Sequence, residues 1–117
     1  ELTTNGNRDV NIKIREKLLS YNIIKQGKNL ILKISSDAEK VVTAKDTSGD
    51  PTSFKYTIII DIKVMMENDS ETYYQIVESF KYNNNTNKFD LKRYEREIIK
   101  NLAETATQKL IYKLSNI

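Results

Sequence analysis

The chain contains no cysteine and no histidine. The first absence excludes disulfides and thiol chemistry and leaves the redox compartment open. The second removes the commonest general base and metal ligand at neutral pH. Glycine and proline are scarce, at 3 and 1 residues. Gly27 and Gly49 are isolated and form no phosphate-binding pattern. No apolar run approaches the length of a membrane span, and no signal peptide is visible. The chain opens on Glu1 without a methionine, as a processed or trimmed form would.

What is present is a chain of 117 residues, 38% hydrophobic and 30% charged. That length and balance suit one domain over residues 1–117 with a heavily solvated surface. Lys and Arg number 19 against 16 Asp and Glu, a net charge of +3. The excess permits an anionic partner such as phosphate, nucleic acid or lipid headgroup without demanding one. Catalysis finds little support. Without histidine, a serine nucleophile would need a lysine base, and Ser35, Ser36, Ser48 and Ser53 have no motif around them. The pairs Asp46/Asp50, Asp69/Glu71 and Glu95/Glu97 fall in turns or on a helix face. Asp46–Asp50 lacks the spacing and closing glutamate of an EF-hand. An enzyme, a metal and a cofactor are therefore not expected.

The stretch Phe80–Leu114 organises the rest: a strand end, an Asn-rich loop and one long helix. Leu91, Tyr94, Ile98, Leu102, Ala106, Leu110 and Leu114 recur every three or four residues, widened by Ile99, Ala103 and Ile111. Asp90 is expected to cap this helix, with Phe89 and Tyr94 as a hydrophobic staple. Such a face needs a sheet. Glu1–Thr4 reads as the tail of a strand entering a turn at Asn5-Gly6. Asn7 then caps a helix with Val10, Ile14, Leu18 and Tyr21 on one face. Val10–Ile14 also alternates as a strand would, and the extension to Leu18-Leu19 favours the helix. Ile23–Asn29 is a connection turning at Gly27.

Leu30, Leu32 and Ile34 share a strand face, followed by a bulge or short break at Asp37–Lys40 and a continuation or restart at Val41–Lys45. Asp46–Pro51 is the strongest turn signal. Tyr56, Ile58, Ile60, Ile62, Val64 and Met66 then share one strand face. Burial of each is worth roughly 1.5–3 kcal/mol, enough to fix the register. After a polar turn at Glu67–Glu71, Tyr74, Ile76, Phe80 and Tyr82 are in phase on a last strand, where Glu78 predicts a bulge or a register shift. The pattern predicts an α+β two-layer sandwich: a mostly antiparallel sheet of about four strands with two helices on one face.

Charge placement offers a binding surface. Lys45 and Lys55 flank the Asp46–Pro51 turn, and Lys88, Lys92, Arg93 and Arg96 cluster at the start of the last helix. Cations there oppose the helix dipole, so an anionic ligand would give them a purpose. Tyr73, Tyr74 and Tyr82 beside Lys81 raise base stacking as an alternative, although Tyr74 and Tyr82 are expected to face the helices.

Taken together, these stretches resemble the lipopolysaccharide-assembly lipoprotein family, LptE, particularly its alphaproteobacterial members. Asn7–Leu19 resembles its first helix and Leu30–Ile34 the strand after it. Lys45–Tyr56 resembles the connection into the central strand, and Glu78–Tyr82 the strand ending in an aromatic. The Ala-containing helix closing at Leu114 completes the likeness, which covers nearly all of residues 1–114. The resemblance implies a non-enzymatic plug inside the LptD outer-membrane β-barrel. Such a plug binds lipopolysaccharide and assists its delivery to the outer leaflet, from the periplasmic side and lipid-anchored in the full-length protein. It also implies that Lys45, with Lys88 or Lys92, meets lipid A or core phosphates as point charges. The sequence departs from the family in lacking the lipidated cysteine, in carrying Pro51, and in lacking an arginine that some relatives have before the central strand. A basic nucleic-acid-binding domain and a periplasmic interaction domain using a sheet edge remain alternatives.

Overall fold

A computed structural model of the chain describes residues 2–21, 31–66 and 69–115. Its elements are β1 (Leu2–Gly6), α1 (Arg8–Tyr21), β2 (Ile31–Lys45), β3 (Pro51–Met65), β4 (Glu71–Asn83) and α2 (Lys88–Ser115). They form one sheet in the order β1-β2-β3-β4. β1 is parallel to β2, and the other neighbours are antiparallel. α1 packs on β1 and β2, α2 on β3 and β4, and the helices pack on each other. This is the expected α+β sandwich. The expected connection at Ile23–Asn29 lies outside the described residues.

Alternation drives the layering. Ile58, Ile60, Ile62 and Val64 of β3 are buried under the helices, with Leu32 and Ile34 of β2 and Ile76 and Tyr82 of β4. From α1 come Val10, Ile14 and Leu18, which settles that segment as a helix. From α2 come Leu91, Ile98, Leu102, Ala103, Ala106, Leu110, Ile111 and Leu114. Thr107 is buried in the same stripe because its hydroxyl bonds the Ala103 carbonyl oxygen at 2.7 Å, removing its polarity. Tyr94, expected in that stripe, is exposed. Phe80 is in phase with the β4 core residues yet exposed, because β4 is the edge strand.

The β1–α1 junction is held by polar groups. Gly6 has φ +97° and Asn7 caps α1, its Oδ1 accepting from Val10 N at 3.0 Å. Ser36 Oγ lies 2.6 Å from Asn11 Oδ1, and Asn11 Nδ2 donates to the Asn5 carbonyl at 3.0 Å. These contacts satisfy Ser36 and Asn11 at buried positions.

Four local expectations are corrected. β2 is continuous through Asp37–Lys40, and its pairing irregularities lie at Val42–Lys45. β4 has no bulge at Glu78, which stays opposite Ile58 in an unbroken ladder. Its carboxylate is instead paired with Lys109 of α2, a countercharge that arrives from the facing layer. The cap of α2 is Asn87, not Asp90. Asn87 Oδ1 accepts from Phe89 N at 3.1 Å and Asp90 N at 3.2 Å, so the helix starts three residues earlier than expected. Phe89 consequently sits inside the first turn, and both Phe89 and Tyr94 are exposed, so no staple forms. Asn87→Ala is expected to cost about 1 kcal/mol in urea unfolding, and Asp90→Ala less. The reverse order would return the cap to Asp90.

A candidate anion-binding end

The molecule measures 59 × 23 × 21 Å because the β2–β3 hairpin reaches past the helices. Residues 39–50 are all exposed. The tip is closed by Asp46, whose Oδ1 accepts from Ser48 N and Asp50 N, each at 2.9 Å. Gly49, at φ +87°, donates to the Asp46 carbonyl at 3.0 Å. The Asp46 side chain is therefore a turn former. Lys45 stands opposite Pro51 at the base of this turn.

The loop before α2 is tied to the same end. Asn84 N donates to the Thr52 carbonyl and Asn84 Nδ2 to the Pro51 carbonyl, both at 2.9 Å. These bonds bring the hairpin tip and the first turn of α2 together. Lys45, Lys88 and Lys92 thus share one end of the molecule. All three are exposed, and among the described residues none makes an ion pair. Arg93 differs. It pairs with Asp90 at 3.1 Å, and its guanidinium lies 5.8 Å from the Phe89 ring centre. An ion pair this exposed holds the side chain weakly.

The other two candidates lie elsewhere. Arg96 lines a groove between the helices with Asp9, Lys13, Glu16 and Ile99. Lys55 projects from the helix-free face of the sheet, between Val41 and Lys81. Lys81 completes a two-lysine pair that the local sequence does not reveal, since it needs the β3–β4 register. Like charges directly opposite in a sheet repel.

Lys40 was also missed. Its Nζ lies 2.7 Å from Glu95 and 4.2 Å from the Phe54 ring centre, bracing the hairpin against α2. Tyr82 donates to the same Glu95 carboxylate and meets Phe54, Tyr56 and Tyr94 at ring separations of 5.7, 6.5 and 6.0 Å. Burial, and then the bond to Glu95, raise the Tyr82 phenol above its usual range and keep it a neutral donor. A buried Tyr82 offers no ring face for base stacking, and Tyr74 is half-buried. Of the three tyrosines on this strand, Tyr73 alone is exposed. On the helix-free face, Glu71 is held below the usual carboxylate range by its bonds to Tyr73 and Lys63. Among the described residues no group of three or more acidic side chains could hold a metal, and no helix is long and apolar enough to cross a membrane.

No family model and no curated protein matches the chain by sequence. Solved structures do match its fold. Rare lipoprotein B from Shewanella oneidensis superposes with a TM-score of 0.78 at 11% identity, covering 98% of this chain and 93% of that one. A lipoprotein from Caulobacter crescentus gives 0.63 at 15% identity, over 98% and 88% of the two chains. A minor lipoprotein from Acinetobacter baumannii gives 0.67 at 7% identity, over 98% and 90%. At such identities the likeness is one of fold.

Proposed function

We propose that this chain is a non-enzymatic envelope lipoprotein domain of the LptE type, a plug for the LptD β-barrel that contacts lipopolysaccharide at the outer membrane. Two independent supports meet here: the sequence resemblance to that family, and a fold shared along nearly its whole length with bacterial lipoproteins. The observation that carries the ligand assignment is the tie from Asn84 to Pro51 and Thr52. It gathers Lys45, Lys88 and Lys92 at one end without carboxylate partners. Unpaired ammonium groups on a shared surface attract a polyanion, and each can meet a phosphate as a point charge. Arg93 joins them when phosphate displaces Asp90. Lys55 and Arg96 fall outside this end and are left out of the contact.

The test is direct binding of purified protein to lipopolysaccharide. The Lys45→Glu, Lys92→Glu double variant is expected to weaken binding about tenfold or more while the unfolding curve stays unchanged. Both side chains are exposed and unpaired, so the fold does not depend on them. Unchanged affinity would remove these residues from the contact. Failure of the unaltered protein to bind would remove the ligand itself. Co-purification of the full-length protein with LptD, and its labelling by a fatty acid, test the partner and the anchor separately.

A further inference from the structure

The helix-free face of the sheet holds a groove that the lipopolysaccharide reading does not use. Its volume is about 470 Å³, within the range of small-ligand sites. Two rows of side chains across β2, β3 and β4 line it. In one row Lys33 stands opposite Lys63, and Lys63 opposite Tyr73. In the row two residues along, Ser35 stands opposite Asp61, and Asp61 opposite Gln75. Tyr73 is held in place. Its hydroxyl donates to Glu71 at 2.9 Å, and Lys63 Nζ, paired with the same carboxylate at 3.2 Å, lies 5.8 Å from its ring centre. Tyr73 nonetheless stays 66% exposed, so the ring is a platform fixed without being covered. Gln75 Nε2 donates to Asp61 Oδ1 at 2.9 Å. That bond orients the amide and leaves Asp61 Oδ2 and Gln75 Oε1 to accept from a ligand. Glu71 neutralises Lys63, and Lys33 is the charge left over. It is exposed and makes no ion pair among the described residues.

We propose that this groove binds a sugar acid, a pyranose ring carrying a carboxylate. Each part of the site matches one part of such a ligand. Lys33 meets the carboxylate, which also relieves its repulsion with Lys63. Tyr73 offers an apolar ring face to the C–H groups of the sugar. Asp61 and Gln75 accept from its hydroxyls. The dimensions agree. Three neighbouring strands span about 10 Å and the two rows lie about 7 Å apart, which is room for one sugar ring. Other anions fit worse. Inorganic phosphate would engage the lysines alone, and as a dianion it is repelled by Asp61 and Glu71. A nucleic-acid strand could stack on Tyr73, but its flanking phosphates would meet the same two carboxylates. Lys33 precedes Lys45 by 12 residues of β2, roughly 40 Å of strand, so the groove is separate from the lysine end. A plug presents opposite ends to the two sides of its barrel, and both sites are compatible with that placement. The inference goes beyond the lipopolysaccharide reading and does not rest on it.

Calorimetric titration of the full chain with a galacturonate oligomer tests the proposal. Saturable binding is expected, about tenfold or more tighter than for the neutral galactose oligomer and not displaced by inorganic phosphate. Lys33→Gln and Tyr73→Ala should each weaken it about tenfold or more, whereas Tyr73→Phe, which keeps the ring, should retain it. Both positions are exposed, so thermal unfolding should not shift. The Lys45→Glu, Lys92→Glu double variant should bind the sugar acid as the unaltered protein does, which reads this groove apart from the lysine end. Absence of binding overturns the inference. So does equal affinity for the neutral oligomer, displacement by phosphate, or an affinity that Lys33→Gln and Tyr73→Ala leave unmoved. Loss of binding in the double variant overturns it as well, because the sugar acid would then be held at the other end.

Discussion

Gly6→Ala is expected to lower the unfolding free energy by about 3 kcal/mol or more, enough to deplete a marginally stable domain. Two costs combine. Gly6 has φ +97°, where a Cβ is strained in any surroundings. A Cβ built there would also lie 1.9 Å from the Ser36 carbonyl oxygen. That oxygen cannot retreat freely, because it accepts from Asn7 N at 3.0 Å and Ser36 lies in the β1–β2 ladder. Relief would have to come from separating β1 from β2 or undoing the start of α1. Gly49→Ala is the control. Its φ is +87°, but an added Cβ meets nothing within 4 Å, so only the backbone cost of about 1 kcal/mol applies. Urea unfolding of the two variants separates clash from conformation. Equal losses would show that the Ser36 contact relaxes.

Ile60→Ala is expected to cost about 2–5 kcal/mol, the range for emptying a closed core site. Ile60 is fully buried at the centre of β3, opposite Ser36 and Ile76. Its neighbours in the stripe, Ile58 and Ile62, stand on paired strands and cannot collapse inward without breaking ladder bonds. Ile59, one residue away on the helix-free face, is only half-buried, so its truncation empties no closed site. Ile59→Ala should therefore cost a small fraction as much. Chemical denaturation at constant slope measures both. Comparable losses would mean that the helix-free face is also covered.

These expectations come from the part of the molecule most readable from its sequence. The run from Tyr56 to Val64 alternates without interruption, and only one strand face can receive it. The stripe from Leu91 to Leu114 spans seven turns, so a single exposed tyrosine did not disturb it. Failures cluster where a local signal had several solutions. The Asn83–Asn87 run and Asp90 offer more than one capping side chain; Asn84 is committed to Pro51 and Thr52, and it is Asn87 that accepts from the free amides of the first turn. Glu78 looked like a break because its countercharge, Lys109, lies 31 positions along the chain. The grouping of cations was least readable of all. Lys45 joins Lys88 and Lys92 through a loop-to-hairpin tie, whereas Lys55, ten residues from Lys45, turns to the opposite face beside Lys81.

The parallel placement of β1 has a consequence for assembly order. Gly6 meets Ser36 30 positions on, whereas Lys45 meets Pro51 only 6 positions on. Closing the longer span costs about 1.4 kcal/mol more in chain entropy. β1 recovers that cost over five residues, against 15 for each arm of the hairpin. The β2–β3–β4 meander can thus form from neighbours alone, each strand templating the next. β1 and α1 are expected to dock after it, latched by Asn7, Asn11 and Ser36 at a single junction.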